Sequence, residues 1–451
     1  WRNKLVSVVI SINLMAPTVN HSHCKLPGFS SETRRKVSDN DRTERHFTKV
    51  SVALQHFFRL TVTLLLGLVA SRAACLTPAT EGDAARGHEQ HQVLVDVFAE
   101  GRGYTSFRIP SLIVSKEGTL LAFAEGREKR SDHAANDIVL KRSTDGGKTW
   151  EKLILVAADG ENSLNNPQAV VLPRTGRILM MYQRYPAGIH ERTVKPGHQG
   201  PAICRNFITH SDDDGLTWSR PRDITATTKR KEVVTSIAGG PGIGIVLQRG
   251  KHEGRIVMPF NQGPFGKWKV YAVFSDDEGA TWQFGETAPD GETPGAGNEV
   301  QMVELADGTI MLNARVQGGK PVRKVATSSD GGATWTPLDE EPQLPEPQCQ
   351  GSILRYDWPD GDAPGRILFA NPATKTGRKQ GTIKVSTDDG RTWSAGKVVY
   401  PGGFAYSCLT RLPNGDVGLL FERDGYQAIS FLRVPMASLT DQDTESENGT
   451  R

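Results

Sequence analysis

The sequence of 451 residues has few cysteines, and their positions exclude a disulfide framework. Five cysteines occur in all, and three of them, Cys204, Cys349 and Cys408, lie beyond the first 90 residues. These three can form at most one disulfide, and no Cys-x-x-Cys pair or Cys/His cluster has the spacing of a zinc site. The cysteines therefore predict no metal centre and indicate no redox compartment.

Net charge and aromatic content are also low. Acidic and basic side chains nearly balance, with a formal net charge of +3 at pH 7, and aromatic residues make up 7% of the chain. This balance is too mild to indicate a nucleic-acid partner, although it allows a locally basic pocket for an acidic ligand. Glycine and proline are plentiful, at 47 and 26 residues, and such a composition favours a turn-rich, soluble fold over a disordered chain.

The first 90 residues differ from the rest and contain one short apolar run. Basic residues between Met15 and Lys49 precede the apolar residues 60–70, and small residues follow at Ala73 and Ala74. A run of this length is too short to span a bilayer, which needs about 20 residues, but it suits the hydrophobic region of a secretory signal.

We therefore expect residues 1–90 to be a poorly structured leader with a possible signal peptide, cleaved near Ala74. The protein is then expected to be secreted or lumenal, and membrane association stays open. A disordered extension or a mistranslated upstream segment is the alternative interpretation of this leader. A polar C-terminal tail, residues 438–451, contains a glycosylation sequon at Asn448, which matters only for a secreted chain.

One eight-residue pattern, Ser-x-Asp-x-Gly-x-Thr-Trp, occurs five times. Its copies start 53 to 68 residues apart, at Ser143, Ser211, Ser275, Ser328 and Ser386. The Asp can accept hydrogen bonds from backbone N–H groups ahead of it, the Gly tolerates positive φ, and Thr-Trp resumes an extended strand. We interpret these boxes as β-hairpin turns whose tryptophans pack between sheets. A ligand-binding role for the aspartates is the less favoured alternative.

Short apolar segments around the boxes predict strands. Residues 137–142 and 270–274 precede boxes, whereas residues 177–182 and 255–260 follow glycine-containing turns. Helical periodicity is scarce throughout the chain, so the regular structure is expected to be almost entirely β.

Repeats of about 55 to 65 residues built from short strands are typical of β-propellers. We predict an all-β fold, a six-bladed β-propeller of four-stranded antiparallel blades, over residues 91–437. The ring is expected to close by pairing of residues 93–98 with the region 421–434.

The five boxes and the motif Phe107-Arg-Ile-Pro110 together resemble the sialidase (neuraminidase) family, which has Asp-box repeats and a Phe/Tyr-Arg-Ile-Pro motif. The resemblance extends over residues 93–434. It implies an exo-α-sialidase that removes terminal sialic acid from glycoproteins, glycolipids or oligosaccharides, with retention and through a sialyl-tyrosine intermediate. It also implies that no cofactor and no metal are required.

Three arginines are assigned by this resemblance to a clamp for the sialic acid carboxylate: Arg108, Arg315 and Arg378. A guanidinium binds a carboxylate through two parallel hydrogen bonds and keeps its charge, which lysine matches less well. Arg127, in Glu125-Gly-Arg127, resembles a further arginine of the family's pocket. Glu422 resembles the glutamate that orients the first arginine, although on its own it also fits a surface position at a strand end.

The resemblance also assigns a nucleophile and its base. Tyr406 is similar to the family's late tyrosine, and sialidases are exceptions to the use of two carboxylates by glycosidases. The carboxylate on the anomeric carbon would repel an anionic nucleophile, whereas a phenol starts neutral. Because its ordinary pKa is near 10, the phenol needs a base, for which the resemblance favours Glu299 over Glu304. We expect Glu304 to face solvent or to pin the adjacent hairpin.

For the acid/base carboxylate, the resemblance favours Asp132 over the nearby Asp137, which opens a predicted strand. Asp132 would protonate the leaving glycosidic oxygen and later activate water.

Two other functions remain open at the level of sequence. A trans-sialidase or an intramolecular trans-sialidase would use the same catalytic residues, with aromatic residues such as Trp268, Tyr271 or Trp358 over the pocket. These three residues also fit an ordinary core or strand-edge role. The second function, a glycan- or protein-binding Asp-box propeller, would need only the repeats.

Overall fold

A computed structural model describes residues 94–440, and they form an all-β fold. The leader predicted for residues 1–90, the sequon at Asn448 and residues 441–451 of the predicted tail lie outside the described residues. Helical structure within residues 94–440 is confined to the short α-helices Thr225–Thr228 and Ala437–Thr440 and the 3-10 turn Gly250–His252. None of these segments has the length and apolar character of a membrane-spanning helix.

The strands are mostly short, as expected for a fold with this many turns. In chain order they are β1 (Leu94–Ala99), β2 (Ser106–Val114), β3 (Leu120–Arg127), β4 (Asn136–Ser143), β5 (Ile154–Ala157), β6 (Ser163–Val171), β7 (Ile178–Tyr185), β8 (Arg205–Ser211), β9 (Arg222–Asp223), β10 (Ile237–Gly239), β11 (Gly242–Ile243), β12 (Ile245–Val246), β13 (Ile256–Gln262), β14 (Lys269–Ser275), β15 (Gln283–Phe284), β16 (Ala296–Glu304), β17 (Ile310–Gln317), β18 (Val322–Ser328), β19 (Asp339–Pro345), β20 (Ser352–Asp357), β21 (Arg366–Pro372), β22 (Lys379–Ser386), β23 (Lys397–Arg411), β24 (Val417–Arg423) and β25 (Ala428–Val434).

The strands form four hydrogen-bonded sheets in which neighbours pair antiparallel, except that β6 pairs parallel with β4 and β11. The sheets have the orders β2-β3-β4-β6-β7-β8-β9, β10-β13-β14-β15, β16-β17-β18-β19 and β1-β25-β24-β23-β22-β21-β20, with β5, β11 and β12 attached at their sides. The predicted strands around residues 177–182 and 255–260 are confirmed as β7 and β13, which lie in the interior of their sheets.

The first and last strands of the described region lie side by side. β1 pairs antiparallel with β25, with Leu94 opposite Leu432 and Ala99 opposite Ala428. The predicted pairing of residues 93–98 with the region 421–434 is therefore confirmed. The two ends of the described region therefore share one sheet, in which β1 is the edge strand.

Each Asp box forms a tight turn that satisfies its own polar groups. In the first box, Asp145 Oδ1 accepts from the Thr149 N–H (3.0 Å) and the Ser143 hydroxyl (2.8 Å), and its Oδ2 accepts from the Thr149 hydroxyl (2.6 Å). Gly147 has φ of +90°, and a Cβ there would lie 2.1 Å from the Phe431 ring. The same hydrogen bonds recur in the other four boxes, which supports the structural interpretation of the repeat.

The box tryptophans pack against neighbouring strands. Trp282 and Trp335 are buried, and Trp150 meets the Phe431 ring edge-on at 5.6 Å between centroids. The tryptophans of these turns thus pack the hairpins against the apolar core.

The cysteines Cys204, Cys349 and Cys408 are buried free thiols.

Candidate active site

The predicted site residues converge on one cavity of about 460 Å³. Several strands contribute residues to its lining. The lining includes all seven residues predicted to bind or react with substrate: Arg108, Arg127, Asp132, Glu299, Arg315, Arg378 and Tyr406.

Breaks in strand register place three of these side chains in the cavity. The ladder of β2 shifts between Arg108 and Ser111, where Ile109 has φ of +61°. The ladders of β16 and β23 shift around Glu299 and Tyr406. A bulge bends its strand and re-aims the side chains beside it, so these irregularities turn functional groups toward one point.

Three guanidiniums surround the phenol of Tyr406. The Cζ atoms of Arg108 and Arg378 lie 5.0 and 5.4 Å from its ring centroid, and Arg315 Nη1 lies 3.2 Å from its hydroxyl oxygen. Such a concentration of positive charge in a cavity favours an anion. The predicted carboxylate clamp is therefore geometrically possible at this place.

Glu422 lies behind the clamp and is fully buried. It accepts from Arg108 Nε at 2.6 Å and Nη2 at 3.2 Å. It also accepts from the backbone N–H groups of Ile109 (2.8 Å) and Tyr406 (3.2 Å). One carboxylate thus fixes the rotamer of Arg108 and ties β2 to β23, so the surface position that the sequence left open does not apply.

Tyr406 and Glu299 form a hydrogen-bonded pair on the cavity floor. The Tyr406 hydroxyl bonds Glu299 Oε1, while Arg315 Nη1 donates to Glu299 Oε2 at 2.8 Å. Burial, followed by the negative charge of Glu299, raises the pKa of Tyr406 well above its ordinary value, although the nearby arginines oppose this shift. The phenol is therefore neutral at rest and has a carboxylate placed to take its proton.

Asp132 lies at the cavity rim on the loop between β3 and β4, with 69% of its side chain exposed. Its Oδ1 accepts from Arg127 Nη1 at 2.7 Å and lies 3.8 Å from Arg108 Nη1. Partial burial would raise the pKa of Asp132, but the charges of Arg127 and Arg108 outweigh it and lower the pKa. Asp132 is thus a carboxylate in the free protein, held by two cations.

The sequence analysis missed Glu125, which lines the cavity, and Tyr426, which contacts two of the clamp arginines without lining it. The fully buried Glu125 accepts from Arg127 Nε at 2.7 Å. The Tyr426 ring lies under Arg108, with Cζ 4.1 Å from its centroid, and its hydroxyl accepts from Arg378 Nη1 at 3.0 Å. The Glu-x-Arg spacing within β3 signals the first contact, because residues i and i+2 share a strand face. The sequence carries no comparable signal for Tyr426.

The competing carboxylates lie outside the cavity. Asp137 accepts from the Tyr104 hydroxyl at 2.7 Å. Glu304 accepts from the N–H groups of Gln248 (2.7 Å) and Arg249 (2.8 Å) and is buried. The expectation that Glu304 faces solvent or pins its own hairpin is wrong, because a segment distant in sequence covers it and uses its carboxylate.

The three aromatic residues that a trans-sialidase would use over the pocket lie in different places. Trp268 lines the cavity. Tyr271 is fully buried in the core, and the Trp358 indole donates to Gln248 in a separate, mostly apolar cavity. The core role is therefore confirmed for Tyr271.

Glu191 gives the cavity a pH-dependent charge. It lines the wall, and burial, with repulsion from Asp132 and Glu299, raises its pKa to about 7. An unfolded glutamate titrates near 4.3, so the folded state binds more protons between about pH 4.3 and 7. Glu191 therefore contributes to the free energy of unfolding at acidic pH, and this contribution is lost as the pH rises through 7.

We expect the Glu191→Gln variant to lose part of this pH dependence. The thermal midpoint of the parent protein should fall between pH 5 and 7.5 by more than that of the variant. Glu161→Gln, at an exposed turn, serves as the control and should follow the parent. Parallel curves for the parent and Glu191→Gln would refute this assignment.

Within residues 94–440, no group of three or more His, Cys, Asp or Glu side chains is arranged to hold a metal ion.

Comparison with known proteins identifies relatives that cover about three quarters of the chain. The BNR repeat-like domain family matches residues 118–419. A sialidase of Micromonospora viridifaciens is 37% identical over 346 residues, which cover 72% of this chain and 51% of that protein. A sialidase of Paraclostridium sordellii is 30% identical over 373 residues, covering 76% of this chain and 86% of that protein.

Solved structures agree with these sequence relatives. A Hadza microbial sialidase matches with a TM-score of 0.69 at 29% identity, over 76% of this chain and 69% of that chain. The chain spans about half the length of the Micromonospora protein, so the similarity is to one part of that relative.

Proposed function

The chain belongs to the sialidase family, and we propose that it is an exo-α-sialidase acting on terminal sialic acid of glycoproteins, glycolipids or oligosaccharides. The observation that carries this proposal is the Tyr406–Glu299 pair lying within reach of three arginines in one cavity. A binding module would need the arginines, but it would have no use for a buried phenol paired with a base.

Substrate binding is proposed to begin at the arginine clamp. Arg108, Arg315 and Arg378 together would take the sugar carboxylate through charge-assisted hydrogen bonds, which are about twice as strong as neutral ones. The anomeric carbon bears this carboxylate, so binding it at the clamp holds that carbon over the Tyr406 phenol.

The first chemical step forms a bond between Tyr406 Oη and the anomeric carbon as the glycosidic C–O bond breaks. Glu299 takes the phenol proton, and Asp132 gives a proton to the departing oxygen. The free carboxylate of Asp132 must therefore gain a proton before this step. The bound sugar carboxylate assists, since it offsets the charge of Arg108 that lowers the pKa of Asp132.

The second step releases the sugar. Asp132, now a carboxylate, takes a proton from a water molecule that attacks the anomeric carbon from the face left by the aglycone. The bond to Tyr406 breaks, and Glu299 returns the proton to the phenolate. Two displacements at one carbon give net retention.

We also propose that residues 91–437 form the six-bladed propeller predicted from the repeat. Six strands form a closed circuit of contacts, in which each strand contacts the next. The order is β2, β6, β10, β16, β20 and β23, and β23 contacts β2 again. The two halves of β23 pair with β22 and β24, so one strand would leave the fifth blade and enter the sixth.

A fluorogenic α-ketoside of N-acetylneuraminic acid tests the proposed activity, with the released sugar followed by mass spectrometry. Free sialic acid is the product expected from hydrolysis. A product lighter by one water would indicate intramolecular transfer, and folded protein that releases nothing would overturn the proposal in favour of a binding module.

Replacement of Asp132 by Asn should affect substrates according to their leaving groups. Lactose is a poor leaving group as an alkoxide and needs the proton, so turnover of sialyl-lactose should fall by about 10²- to 10⁴-fold. The aryloxide of an aryl sialoside leaves readily without a proton, so turnover of that substrate should fall much less. Asp137→Asn, which alters a carboxylate bound to Tyr104, is the control, and equal losses on both substrates would contradict the role of Asp132.

A further inference from the structure

The segment 346–350, between β19 and β20, contacts the backbone beside Arg315 and the guanidinium of Arg378, although its own charged residue, Glu346, lies outside the cavity lining. Glu346 is fully buried. Its Oε1 accepts from the Val316 N–H at 2.6 Å, and its Oε2 accepts from the Cys349 N–H at 2.8 Å. Val316 directly follows Arg315, so Glu346 fixes the backbone that carries one guanidinium of the clamp.

The same segment reaches the second guanidinium through its backbone. The Gln348 carbonyl oxygen accepts from Arg378 Nη2 at 3.0 Å, and Gln348 itself has φ of +55°. A non-glycine residue in this region is strained and persists only where its surroundings hold it. The carboxylate of Glu346, two residues earlier, supplies part of that restraint by closing the turn at Cys349.

A buried cation completes the arrangement. Arg323 is fully buried, donates to the Cys349 carbonyl oxygen at 2.8 Å, and lies 3.6 Å from Glu346 Oε2. Its Nε also donates to Asn313 Oδ1 at 2.7 Å on β17. Two fully buried charges are costly unless paired and hydrogen-bonded, and here both groups hold the turn that carries the acceptor of Arg378.

We propose that Glu346, paired with Arg323, is a positioning residue that sets the spacing of Arg315 and Arg378 in the carboxylate clamp. This inference rests on the proposed function, because the clamp is assigned there to the substrate carboxylate. Glu346 touches no substrate and acts through the two arginines.

Glu346→Gln tests the inference. Glutamine keeps one oxygen acceptor but turns an amide donor toward one of the two backbone N–H groups, and it removes the counter-charge of Arg323. Binding of the substrate carboxylate would weaken equally in the ground state and the transition state, which raises KM and leaves kcat nearly unchanged. We expect KM for the fluorogenic α-ketoside to rise about tenfold, the scale of one impaired charge-assisted hydrogen bond, with kcat within about threefold of the parent.

Glu304→Gln is a matched control. Glu304 is also buried and also accepts from two backbone N–H groups, but it lies outside the cavity. Both variants should lower the thermal midpoint, and only Glu346→Gln should raise KM. Glu346→Asp, which keeps the charge on a shorter side chain, replaces Glu346→Gln if the latter does not fold, and its KM should rise in the same direction.

Two outcomes would overturn the inference. Equal KM values in Glu346→Gln and Glu304→Gln would reduce Glu346 to a stabilising residue, and a fall in kcat with constant KM would place its effect on the reaction step. Neither outcome touches the proposed function, which fails separately if the parent protein releases no fluorophore.

Discussion

Tyr406→Phe is expected to reduce turnover of the fluorogenic sialoside by at least about 100-fold, since the group that forms the covalent bond is gone. The substitution removes one oxygen from the cavity floor and leaves the three arginines in place. Substrate binding should therefore persist, and it can be measured by calorimetry with the inactive variant. Loss of kcat with retained affinity is the pattern that separates a nucleophile from a binding residue.

Tyr182→Phe is the control for this substitution. Tyr182 is a buried tyrosine that stacks on Phe207, with ring centroids 5.9 Å apart, and it does not line the cavity. Its removal should leave kcat and KM near those of the parent. Retention of a tenth or more of the parent turnover by Tyr406→Phe would contradict the assignment.

Glu422→Ala is expected to have the largest effect on stability. The substitution leaves Arg108 with only the longer, 3.8 Å contact to Asp132 and removes the acceptor of the Ile109 and Tyr406 N–H groups. Breaking a buried pair by removing one partner costs about 3–5 kcal/mol in free energy of unfolding. The thermal midpoint should fall by several degrees, and KM should rise because Arg108 loses its fixed rotamer.

An exposed ion pair gives the contrast. Glu100 bonds Arg130 at 2.7 Å, but both side chains are solvent-exposed, and exposed pairs contribute little to stability. Glu100→Ala should therefore leave the thermal midpoint unchanged. A Glu422→Ala protein with the parent's midpoint and KM would show that Arg108 is held by other contacts.

The repeat was informative about the fold because its information is local. Each Asp box contains the acceptor, the donors and the glycine that its own turn needs, so eight residues predict a hairpin without tertiary knowledge. The predicted pairing at the two ends of the described region came from the ring topology of a propeller, which the repeat had indicated. The all-β class was therefore accessible from the sequence.

The predicted site residues came from resemblance to a family, and the structure brings them into one cavity. Contacts between distant segments were not accessible in this way. Tyr426 enters the site by stacking on Arg108, more than 300 residues away in sequence, and Glu346 acts through the backbone of Val316. The error at Glu304 has the same origin, since its burial depends on a segment that precedes it by more than 50 residues.

The stereochemistry of the first product tests the central claim most directly. Proton NMR, recorded within the first minutes of sialoside hydrolysis, distinguishes the α-anomer of free sialic acid from the β-anomer that forms by later mutarotation. Two displacements through Tyr406 predict the α-anomer as the first product. Initial appearance of the β-anomer would show direct attack by water and would contradict the covalent role of Tyr406.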